Sequence, residues 1–105
     1  EEGVTISSSP AFIAAHQQDL AALTETEKKE FQYFIQPDES GNPTEVGHQE
    51  AFAEALASLT GGGCYKAAAF QKRFKHTTRY VKQWVEGMEL QRLLTQVKRA
   101  ETTAA

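Results

Sequence analysis

"FQKRFKHTTRYVKQWVEG", residues 70–87, carries five Lys or Arg and no acid before Glu86. Whether it forms one helix or two decides the fold. Positions 70, 74, 77, 81, 84 and 88 advance by alternating steps of four and three, a seam of period about 3.5 along a single helix. Only Thr77 dents that seam. Threonine is β-branched and a middling helix former, but Thr77 and Thr78 together do not stop a helix. No Gly or Pro lies between Gly63 and Gly87.

The competing reading is a helix-turn-helix with its turn near Lys75–Thr78. Phe70 and Phe74 would pack the first helix, and Val81 and Trp84 the second. Thr77 or Thr78 would cap the second helix. Thr77, Thr78, Arg79 and Lys82 would sit where groove-contacting residues belong, with Lys72, Arg73 and Lys75 on phosphates. Two positions count against it. The small residue of the first helix would be Gln71, and the turn glycine would be Lys75, which tolerates a left-handed backbone poorly. His76 is also a poor apolar turn residue. Intact propensity and missing turn chemistry favour an unbroken helix.

Outward from this segment the chain reads as helices. Residues 1–8 form a loose tail. Ser9 followed by Pro10 is an N-cap and first-turn proline. The helix that follows faces inward with Phe12, Ile13, His16, Leu20 and Leu23. Thr24-Glu25-Thr26-Glu27 fits a capping box for a second helix over 25–36, with Phe31, Phe34 and Ile35 as its apolar stripe. Residues 36–44, QPDESGNPT, are the clearest loop. Thr44 caps a third helix over 45–60, expected to bury Val46, Phe52, Leu56 and Leu59. Gly61-Gly62-Gly63 ends it and makes a hinge. Residues 100–105 should fray.

The expected fold is all-α: a compact bundle of four or five helices with a long basic C-terminal helix, one domain over residues 9–99. The 105 residues suffice for one core, and 40% hydrophobic content argues against disorder. No apolar run approaches a membrane span. Cys64 is the single cysteine, so no internal disulfide can form, which fits the cytoplasm or another reducing compartment. A chain beginning at Glu1 reads as a fragment or processed form of something longer.

Net charge is −3, unevenly placed: residues 1–63 hold 11 acids and 2 bases, residues 64–105 hold 9 bases and 3 acids. Either the two halves pair internally or the basic half presents a face to a partner.

Several chemistries fail on spacing. Asp38, Ser40 and Asn42 start like an EF-hand loop, but Pro43 replaces its glycine and Gln49 its bidentate glutamate. His16, His48, Cys64 and His76 lack the close pairing of zinc motifs. Gly61–Gly63 before Lys66 lacks the strand and the hydroxyl of a P-loop. Cys64 and His76 lie too far apart on one helix to act as nucleophile and base. No catalytic residue, cofactor or metal is therefore expected. The reading is a non-enzymatic interaction or regulatory module, free-standing or part of a larger protein. Its basic face of Lys72, Arg73, Lys75, Arg79 and Lys82 would bind an acidic protein partner, with exposed aromatics as anchors. The runner-up is nucleic-acid binding by the same residues.

Overall fold

The computed structural model describes residues 6–62 and 67–104, with side chains through residue 100. Five α-helices lie among these residues, with no strand: α1 Pro10–Ala21, α2 Glu25–Glu30, α3 Glu45–Leu59, α4 Ala67–Arg73 and α5 Lys75–Ala104. The chain is an all-α bundle with a long C-terminal helix, as its composition implies. Short 3-10 turns cover Ile6–Ser8 and Gln32–Phe34. None of the described helices is long and apolar enough to cross a membrane.

Local capping chemistry starts the first three helices. The Ser9 hydroxyl accepts from the Phe12 N–H, with Pro10 in the first turn. The Thr24 hydroxyl accepts from the Glu27 N–H while the Glu27 carboxylate accepts from the Thr24 N–H, a complete capping box. The Thr44 hydroxyl caps α3 by accepting from the Gly47 N–H. Gly61, at φ +89°, takes the left-handed conformation just past α3. Gly63, the last residue of the expected triple-glycine hinge, lies outside the described residues.

α2 is shorter than the helix expected over 25–36. It stops at Glu30, and Gln36 adopts a left-handed backbone at φ 42°. In the 36–44 loop the Asp38 carboxylate accepts from the N–H groups of Ser40 and Asn42. This is the side-chain-to-backbone bonding of a surface loop.

All six phenylalanines join one aromatic core. Phe12, Phe31, Phe70 and Phe74 are at most 1% exposed. Phe74 stacks on Phe70 with centroids 4.6 Å apart and meets Phe31 edge-on at 5.8 Å. Phe12 contacts Phe52 and Tyr80 edge-on. Such ring pairs contribute about 0.5–1.5 kcal/mol each beyond area burial. The aromatics of the basic segment are thus core residues rather than exposed anchors: Phe70 and Phe74 are sealed, and Tyr80 and Trp84 pack against the core half-buried. Tyr65 lies outside the described residues.

Two inward assignments change. Ile13 and Val46 are exposed, and α3 buries Gly47, Ala51 and Ala55 instead. These small residues recur every four positions and let α3 approach closely. A Cβ on Gly47 would lie 2.0 Å from the Ile35 carbonyl oxygen. Close approach brings the small face inward, so Phe52, Leu56 and Leu59 flank the contact half-buried.

The unbroken helix expected across residues 66–86 is interrupted at Phe74. The Phe74 N–H still donates to the Phe70 carbonyl, and the Thr78 N–H to the Phe74 carbonyl. In a continuous helix the N–H groups of His76 and Thr77 would return to the carbonyls of Lys72 and Arg73. Here both donate to the Asp19 carboxylate of α1, at 3.0 and 2.7 Å. A buried acid 57 residues upstream competes for these donors and starts α5 afresh.

Candidate interaction surface

Asp19 sets where the basic residues stand. It is 1% exposed and, besides the two backbone donors, accepts from the Thr77 hydroxyl at 2.8 Å and bonds the His76 ring at Nδ1, 2.7 Å away. This is an N-cap supplied by another helix. It places negative charge at the positive end of the α5 dipole, where Lys75 is otherwise unfavourable. Sequence reasoning passed over Asp19. The available signal was an acid three residues after His16 on the same apolar face of α1, where an unpaired charge is costly.

With α5 held this way, Thr77 is fully buried and Thr78 half-buried. A recognition helix would present these residues to a groove. The one-residue break at Phe74 is also shorter than a helix-turn-helix turn.

The five basic residues divide. Arg73 is half-buried, and its Nε lies 2.8 Å from the Glu27 carboxylate, so it serves the fold. The hydrogen bond from the Thr24 N–H, and secondarily the Arg73 charge, hold Glu27 below the usual carboxylate range. Lys72, Lys75, Arg79 and Lys82 are exposed, and among the described residues no carboxylate lies within 4.0 Å of their charged groups. Internal pairing of the charged halves therefore claims Arg73 and leaves the other four facing solvent.

His16, on the face of α1 expected to point inward, and His48 are both buried. His16 is fully buried, its Nε2 2.9 Å from the Phe34 carbonyl, so Nε2–H donates. Nδ1 has no partner among the described residues. The His48 ring lies edge-on at 4.7 Å. Burial lowers the pKa of His16 to about 4 and that of His48 in the same direction. Both rings are neutral near pH 7 and buried among aromatics. Among the described residues no three His, Cys, Asp or Glu side chains converge as a metal site. Cys64 and Lys66, weighed above for nucleophile and phosphate chemistry, lie outside the described residues. An open cleft of about 470 Å³ between α2 and the 36–44 loop is lined by Lys28, Lys29, Glu25 and Ser40 among others, with Lys28 paired to Glu25 at 3.6 Å.

No protein-family model, no curated protein and no solved structure matches the chain.

Proposed function

We propose that this chain is a non-enzymatic helical interaction or regulatory module that docks an acidic protein partner through Lys72, Lys75, Arg79 and Lys82. One observation carries the reading. Four cations stand exposed over the end of α4 and the first turns of α5 without a carboxylate partner among the described residues, while Arg73 is tied to Glu27. The bundle beneath them is braced by Asp19, so they are presented on a rigid support, which lowers the entropy cost of binding. A single cysteine suits a reducing compartment as the setting. The burial of Thr77 weighs against groove reading of nucleic acid and leaves phosphate contact by the same cations as the rival.

The test is fluorescence anisotropy of a labelled Glu-rich helical peptide and of a labelled duplex DNA, each titrated with the whole chain across a salt series. The expected result is peptide binding that persists at physiological salt and is lost in the Lys75→Glu/Arg79→Glu/Lys82→Glu variant. DNA binding with a steep salt dependence and no peptide binding would replace the proposal with the nucleic-acid reading. Binding to neither would end both.

A further inference from the structure

Residues 86–100 of α5 are exposed on every side, and they carry an apolar stripe on the side opposite the one that packs on the bundle earlier in the helix. At about 100° per residue, Val81, Trp84, Val85 and Met88 gather within about 100° on one side of α5. That side faces the core as far as Val85, since Val81 is fully buried and Trp84 and Val85 are half-buried, while Met88 is 56% exposed. Leu90, Leu93, Leu94 and Val97 gather within about 100° on the opposite side, spaced i, i+3, i+4 and i+7. They are 58%, 45%, 49% and 53% exposed. On the same wheel, Lys75, Arg79 and Lys82 span about 60° and fall on that same outer side. One face of α5 therefore reads, from its start, as a basic row and then an apolar stripe, with Glu86 between them.

An apolar stripe on a stretch of helix exposed all round calls for cover from outside. Four half-exposed side chains fall well short of the roughly 800 Å² per partner that a stable interface buries, so an occupant must also cover the basic row. From Lys75 to Val97 the face is about 33 Å long. A second copy aligned in parallel would set the basic row against its twin. Aligned antiparallel over the stripe, its residues 90–97 would face their own counterparts and leave the basic row uncovered. An anionic lipid surface would meet Glu86 and Glu89 beside the stripe.

We infer that this face takes one amphipathic helix of a partner protein, acid-rich where it passes Lys75, Arg79 and Lys82 and apolar where it passes Leu90, Leu93, Leu94 and Val97. The inference rests on the docking reading above and adds the partner's helical form, its length and its apolar half. It also places a base of the partner opposite Glu86.

The test is selection of a displayed library of amphipathic helices, about 22 residues long to match the face, against the whole chain at physiological salt. Selected helices should carry i, i+3, i+4, i+7 apolar residues in one half and clustered acids in the other. Their affinity should fall about tenfold or more in Leu93→Asp/Leu94→Asp, and again in Lys75→Glu/Arg79→Glu/Lys82→Glu. Both variants alter exposed positions, so their circular-dichroism melts should match the parent chain. Loss with the charge reversal alone keeps the basic face and overturns the composite site. Loss with the leucine variant alone overturns both. A selection that yields no helix, or anionic vesicles binding in its place, overturns the inference. So does sedimentation as a dimer that Leu93→Asp/Leu94→Asp breaks, which would make a second copy the occupant.

Discussion

Replacing Asp19 with Ala strikes the junction on which the placement of α5 depends. The substitution removes one acceptor from four donors: the N–H groups of His76 and Thr77, the Thr77 hydroxyl and the His76 ring. A buried donor left without a partner costs about 1–3 kcal/mol. Thr77 contributes two sealed donors, its backbone and its hydroxyl, since it is 0% exposed. The His76 side chain is 26% exposed and can turn to water. Relaxation toward a continuous helix would let the two amides find the Lys72 and Arg73 carbonyls, which discounts the total. The expected loss is therefore about 3–4 kcal/mol, a large part of the 5–15 kcal/mol typical of a domain. Asp19→Asn keeps one carbonyl acceptor and should fall between Ala and the parent. Urea titrations followed by Trp84 fluorescence and far-UV circular dichroism, extrapolated linearly to water, give the two values. Amide exchange at His76 and Thr77 should accelerate in step. An Asp19→Ala chain within about 1 kcal/mol of the parent, with both amides still protected, would refute the cap as the cause of the break.

Acid should destabilise the domain through its histidines. The pKa of His16 is about 4 in the folded chain against 6.5 ordinarily, so the unfolded chain binds the proton first as pH falls. Stability is complete above about 6.5 and declines as pH drops toward 4, by about 3 kcal/mol from this residue. His48 adds in the same direction. Urea melts at a series of pH values check this, and a His16→Leu chain should give a flatter curve over that window. Gly47→Ala should cost about 2 kcal/mol or more in a thermal melt, because the new methyl group collides with the Ile35 backbone. Trp84→Ala should cost about 2 kcal/mol, less than the 3–5 of a sealed tryptophan, since the ring is half-buried edge-on to Phe52. A cost under about 0.5 kcal/mol would mean the Trp84–Phe52 contact is not made in solution.

Features decided by near neighbours in the chain were legible without coordinates. Ser9 with Pro10, the Thr24–Glu27 box, Thr44 and Gly61 act within a few residues of themselves, and each sits at the helix end where its chemistry places it. The core roles of Phe12, Leu20, Phe31, Phe34 and Ile35 follow from spacing on their own elements. The errors fall where two elements meet. Val46 satisfied the periodicity of α3, but the close approach that Gly47 permits at Ile35 turned the helix so that Val46 faces water. Within the basic segment, charge pattern could not tell Arg73 from Lys72. That difference comes from Glu27, 46 positions upstream, reaching one and not the other.

Taken alone, then, the order of residues decided that this chain is helical, where its first three helices begin, and that its charge is split between acidic and basic halves. These are consequences of backbone propensity, side-chain capping and composition, all of which act over a turn or two. Packing decided the rest. The carboxylate of α1 captures amides that a continuous helix would have kept, so the helix breaks at Phe74 and begins again at Lys75. Burial of Val81 then settles which side of the first turns of α5 meets the core, and so which side holds Lys75, Arg79 and Lys82 toward solvent. A helical wheel shows that two apolar sides exist, but only contact with the rest of the fold selects the one that is covered.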